Sequence, residues 1–182
     1  MAGGFRVEAS EVLHRGAIVS TERLSVRTPD GDLIERQAIR HPGAVAVVAV
    51  HEGDVVLVEQ YRAAIDDLLI EVPAGKLDAD DESLESAARR ELLEEVGLEP
   101  GSIVRLGEFL TAAGFSDEVV TIFAATDCVE VGQRVDGVEE AHMTVLKVPA
   151  AEALANAAAG HYRDSKTVIG LFWAQTRGLL EG

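Results

Sequence analysis

Apolar and polar positions alternate in short runs up to about residue 60 and then change period, so the pattern predicts strands first and a helix afterwards. Runs 24–27 and 33–36 flank Pro29-Asp30-Gly31-Asp32, a hairpin signal. Runs 44–50 and 54–59, joined across Glu52-Gly53, read as a second strand pair, the first apolar enough for burial on both faces. A short strand over 68–72 stops at Pro73-Ala74-Gly75, and a loop over 76–82 follows. A helix is predicted over 83–96, with Ser83 as its cap, Glu85 in its first turn and Gly97 as a left-handed stop. Strands are predicted again over 103–109, 119–125 and 143–148. Two helices close the chain: an Ala-rich one over 150–159 that ends at Gly160, and one starting near Ser165. The second carries Val168, Ile169, Leu171, Phe172 and Trp173, which read as core. No repeat, low-complexity linker or domain break interrupts the pattern.

The helix over 83–96 has a face that its own physics does not favour. At about 100° per residue, Leu84, Ala87, Ala88 and Leu92 form the apolar stripe, and Glu91 and Glu95 fall within it. Like charges four residues apart are mildly destabilising, and Glu94 and Glu95 sit in the last turn, at the negative end of the helix dipole. A carboxylate facing a core must be paired, protonated or bound to a metal. Arg90 lies on the flank beyond Glu94 and can serve one carboxylate but not three. A hard divalent cation with oxygen ligands, such as Mg²⁺, satisfies the rest.

Composition narrows the partners. With 182 residues and 47% hydrophobic content, the chain has material for one domain with a real core. A net charge of −16 disfavours non-specific binding to nucleic acid or an anionic membrane, so a polyanionic substrate must be drawn by local cations. Cys128 is the single cysteine, which excludes an internal disulfide and a thiolate zinc cluster. It is expected to pack as a small hydrophobe in a strand. The first ten residues do not resemble a secretory signal and the apolar run 44–50 is too short to span a bilayer, so a cytoplasmic location is the expectation.

The stretch from Gly75 to Leu98 resembles the Nudix box, G-x5-E-x7-R-E-U-x-E-E-x-G-U with U aliphatic. Glu82, Arg90, Glu91, Leu92, Glu94, Glu95, Gly97 and Leu98 match its fixed positions, while Gly75 falls one residue early, as though the loop 76–81 carried one extra residue. Beyond the box, Gln60-Tyr61-Arg62, Glu71-Val72-Pro73-Ala74-Gly75, Gly114-Phe115-Ser116-Asp117-Glu118, Glu139-Glu140-Ala141 and Ser165 to Leu171 are similar to the ADP-ribose pyrophosphatase branch of the Nudix hydrolases. One departure is Ala113, where that branch carries a proline; loss of the fixed φ is expected to loosen or reshape the loop and bears on substrate choice.

The resemblance implies an α/β fold, an α/β/α sandwich around a mixed sheet with an N-terminal antiparallel hairpin region. It implies a single Nudix domain over 1–182, with residues 1–42 used in a homodimer and 43–182 as the catalytic core. The implied activity is Mg²⁺-dependent hydrolysis of the pyrophosphate bond of ADP-ribose or a related nucleoside diphosphate sugar, with Mn²⁺ as an alternative cation. The implied metal ligands are Glu91, Glu95 and the Ala74 carbonyl, with Glu94 a weaker candidate and Arg90 paired with Glu82 in support. The implied base is Glu140, with Glu139 the runner-up. The implied substrate contacts are Arg36, lent across the dimer, Arg62 and Glu118. Two rivals stand beside this: the same chemistry on a GDP-sugar or NADH, and a non-catalytic sensor of nucleotide sugars, against which the inward carboxylates argue.

Overall fold

The computed structural model describes residues 3–78, 83–134 and 142–180. The chain forms two compact units, one of residues 1–43 with 110–119 and one of 44–109 with 120–182.

In the smaller unit, β1 (Arg6–Arg15), β2 (Ser20–Arg27) and β3 (Leu33–Arg40) form an antiparallel sheet in that order. β2 and β3 pair without a slip from Ser20↔Arg40 to Arg27↔Leu33, around the turn that Pro29-Asp30-Gly31-Asp32 signals. The pattern missed β1 because all ten of its residues are exposed, leaving no buried face to impose an alternation. Residues 111–118 are tied to β3 here. The Ile39 amide donates to the Phe115 carbonyl at 2.7 Å and the Asp117 amide to the Ile39 carbonyl at 3.2 Å. The amides of Phe115 and Ser116 both donate to the Ala112 carbonyl. The turn around Ala113 is thus held by backbone bonds that need no proline.

The larger unit is built on a seven-stranded mixed sheet. Its main path runs β10 (Thr144–Pro149), β5 (Asp54–Arg62), β4 (Ala44–His51), β9 (Val119–Glu130) and β8 (Leu98–Leu110). β6 (Asp67–Glu71) pairs with β5, and β7 (Ala74–Lys76) pairs with β4. β4 runs parallel to β9 and antiparallel to β5 and β7. Side chains alternate across β4 and so divide the core in two. Val45, Val47 and Ala49 pack with Ala87, Ala88 and Leu92 of α1 (Leu84–Val96). Ala46 and Val48 face Ala153 and Ala157 of α2 (Ala150–Ala158) and Leu171 and Ala174 of α3 (Ser165–Thr176). Helices therefore cover both faces. Leu92, fully buried, contributes roughly 2 kcal/mol to this layer.

The predicted elements differ from the structure mainly at their ends. Ala74-Gly75, read as a strand stop, opens the short strand β7, whose three residues are too few for a periodic signal. β8 and β9 extend beyond the predicted runs into polar sequence because neighbouring strands supply the ladder. Cys128 is buried in β9, as expected of a small hydrophobe. Among the described residues, no helix is long and apolar enough to cross a membrane.

Candidate active site

α1 starts where Ser83 accepts a hydrogen bond from the Ser86 amide at 3.0 Å and the Ser86 hydroxyl accepts one from the Ser83 amide at 2.9 Å, a reciprocal cap. It stops at Gly97, whose φ of 67° is the left-handed conformation that suits glycine. Those two ends fix the helix phase, and the buried residues are Ala87, Ala88, Glu91, Leu92 and Glu95. Glu91 and Glu95 are only 6% and 5% exposed, inside the apolar layer against β4 and β7.

The Ala74 amide donates to Glu95 Oε2 at 2.9 Å, and among the described residues it is the only hydrogen-bond partner of that carboxyl. Burial, with Glu91 one turn away, outweighs the Ala74 bond and the nearby charges of Arg62 and Lys166, pushing the Glu95 pKa up to about 8. Glu91 accepts from Arg90 Nη1 at 2.7 Å, and the same nitrogen reaches Glu94 at 2.9 Å. Arg90 thus braces two carboxylates at once, with Asp78 3.6 Å from its Nη2. Glu82, the partner expected for Arg90, lies outside the described residues.

Gly75 explains a feature that the sequence pattern left without a reason. A Cβ at this position would lie 2.0 Å from Glu91 Oε1, so any side chain here would have to turn the Glu91 carboxylate away from its place. The requirement is space, visible only once β7 and α1 are side by side.

Behind the carboxylates lies a second charged cluster. Glu71, at the end of β6 and fully buried, accepts from Arg62 Nε at 2.6 Å and Arg62 Nη2 at 2.7 Å, and from Lys166 of α3. Burial raises the Glu71 pKa, but the Arg62 and Lys166 bonds outweigh it and hold the carboxyl below its ordinary value. Lys166 also donates to Asp164 at 2.9 Å; Asp164 caps α3 and accepts from both the amide and the hydroxyl of Thr167. Sequence reasoning gave Glu71, Asp164 and Lys166 no role. Their pairing joins residues 95 positions apart, which no local pattern reports.

The remaining expected site residues fall elsewhere. Arg36, on β3, donates to the Glu35 carbonyl at 2.7 Å. Glu118 accepts from the Thr111 hydroxyl at 2.6 Å, with His41 Nδ1 at 3.7 Å. Both belong to the smaller unit, whereas Arg62 belongs to the larger. Glu139 and Glu140 lie outside the described residues.

The donor set fits a hard divalent cation: two inward carboxylates on one helix face and a cradle that glycine keeps open. Among the described residues there is no cluster of three or more His, Cys, Asp or Glu that could hold a metal ion.

Residues 40–168 match the NUDIX domain. The chain belongs to the Nudix hydrolase family. An ADP-ribose pyrophosphatase of Mycobacterium tuberculosis is 41% identical to it over 168 residues, covering 92% of this chain and 81% of the relative. An ADP-ribose pyrophosphatase of Bacillus subtilis is 32% identical over 174 residues, covering 95% and 94%. A crystal structure of an ADP compounds hydrolase superposes with a TM-score of 0.80 at 21% identity over 96% of each chain, a likeness of fold. The chain is a Nudix pyrophosphohydrolase, an enzyme class that depends on divalent metal, and α1 lies within the matched residues.

Proposed function

We propose that this Nudix enzyme hydrolyses the pyrophosphate bond of ADP-ribose or a closely related nucleoside diphosphate sugar, with Mg²⁺ as its cation, giving a nucleoside monophosphate and a sugar phosphate. The observation that carries the reading is the buried pair Glu91 and Glu95 against β7, an arrangement that costs stability unless a cation is bound. The extensive likeness to two ADP-ribose pyrophosphatases supports the substrate class.

In this reading Glu91, Glu95 and the Ala74 carbonyl hold the cation. When bound, it neutralises charge on the diphosphate oxygens and makes a water more acidic. Arg90 restrains Glu91 and Glu94 so that the carboxylates do not rotate away, and its replacement is expected to weaken cation binding. Arg62 offers a positive edge to a phosphate within a chain whose overall field repels one. Glu140 accepts the proton of the attacking water; Glu140→Gln is expected to lower kcat more than it changes KM. Arg36 and Glu118 are assigned to substrate recognition, Arg36 from a second copy in a homodimer.

A substrate panel tests the proposal. ADP-ribose, a GDP-sugar and NADH are offered separately with Mg²⁺, and the nucleoside monophosphate released is measured. The highest kcat/KM is expected with ADP-ribose or another nucleoside diphosphate sugar of the same kind. ADP-ribose ranking among the poorest substrates contradicts the assignment, and no turnover of any of them favours a binding protein.

A further inference from the structure

Four charged side chains from three elements meet behind the carboxylates: Arg62 of β5, Glu71 of β6, Lys166 of α3, and Asp164, which caps α3. Their exposure is graded. The side chain of Glu71 is 1% exposed, those of Asp164 and Lys166 are 11% and 14%, and that of Arg62 is 39%. Only Arg62 offers substantial surface to solvent, and the others stand behind it.

The pairing at Arg62 is directional. Glu71 takes Nε and Nη2 in a bidentate fork, which fixes the guanidinium plane and leaves the Nη1 edge uncommitted among the described residues. Glu71 alone would cancel the charge that it orients. Lys166 adds a positive charge beside Glu71 and Asp164 a negative one beside Lys166, so the four side chains sum to no net charge and what the network fixes is the orientation of Arg62.

The segment 71–74 carries this arrangement to the carboxylates. Its Val72 amide donates to Thr167 Oγ1 at 2.8 Å, and its Ala74 amide donates to Glu95 at 2.9 Å. α3 and α1 thus grip the same four residues from two sides. A buried ion network is a poor source of stability compared with apolar packing of the same volume, so its presence beside two cation-binding carboxylates calls for another role.

We infer that Lys166 and Glu71 are positioning residues that hold Arg62 as a fixed fork, its Nη1 edge turned to a phosphate group of the substrate. The inference rests on the diphosphate reading and adds to it: the anion-binding strength of Arg62 is set from α3, through two side chains that touch no substrate.

Kinetics of single and double variants test this. With ADP-ribose and Mg²⁺, Lys166→Met is expected to raise KM by about 10-fold while kcat changes by less than about 3-fold, and Lys166→Arg to restore most of the loss. In an Arg62→Gln background the same Lys166→Met change is expected to add less than about 2-fold, because the group it positions is gone. A clip that merely anchors α3 gives the opposite pattern, an unchanged KM or an effect that multiplies in full with Arg62→Gln, and either result overturns the inference. Should Lys166→Met not fold, Lys166→Gln is read in the same way. Calorimetric binding of inorganic pyrophosphate with Mg²⁺ repeats the comparison without turnover, and equal affinity in wild type and variant also contradicts the inference. Weakened pyrophosphate binding in the variant, with no hydrolysis of any nucleotide sugar by wild type, leaves this inference standing and removes the proposed reaction.

Discussion

Glu95 concentrates the chemistry of the site in one carboxyl. Without a cation its burial and the proximity of Glu91 favour the protonated form, up to a pKa of about 8. Because folding raises this acid's pKa, its contribution to stability is fully present below the unfolded value of about 4.5 and is lost as pH rises through about 8. In EDTA, the melting temperature of wild type relative to Glu95→Gln is therefore expected to fall across that window; a difference that stays constant contradicts the raised pKa. Gly75 meets the other carboxylate. Gly75→Ala places a methyl against Glu91 Oε1 and must turn that carboxylate aside, a shift of a side-chain tip that is expected to cost the fold little and the site more. kcat is expected to fall about 10- to 100-fold in protein that still folds. Unchanged turnover in Gly75→Ala would show that the Glu91 carboxylate has room to spare.

At the level of elements, helix α1 matters because its ends set its phase. Ser83→Ala removes the hydroxyl that the Ser86 amide uses, and chemical denaturation is expected to show a loss of about 1 kcal/mol. A loss below about 0.3 kcal/mol would mean that the helix start is held by tertiary packing instead. This helix was legible in the sequence because cap, apolar stripe and glycine stop all agree locally, and so was the inward aim of Glu91 and Glu95. The strands β2 to β5 were legible for the same reason. β1 was not, since a strand exposed along its whole length has no face to pattern. β7 and the need for glycine at 75 were not, since both depend on α1 arriving from another part of the chain. Arg62 was named in the sequence as a substrate contact, but its pairing with Glu71 and Lys166 was hidden for the same reason, since it exists only once β5, β6 and α3 are packed.

For the molecule as a whole, β1 presents Val7 and Val12 at 53% and 41% exposure, with Leu13 beside them, an apolar content that suits a second copy of the chain. A homodimer is the expected state in sedimentation velocity. With −16 on each chain, the association should strengthen with added salt, and Val12→Asp should shift it toward monomer. A wild type that stays monomeric at every salt concentration contradicts the dimer and with it the role given to Arg36. The central claim concerns the inward acids, and one measurement reaches it most directly: turnover of ADP-ribose by wild type and Glu91→Gln, titrated with Mg²⁺ and checked for native fold by circular dichroism. Glu91→Gln is predicted to fold normally and to lose about 10³-fold in kcat at saturating Mg²⁺. Equal turnover by the two proteins, or wild-type turnover that persists in excess EDTA, would contradict the account.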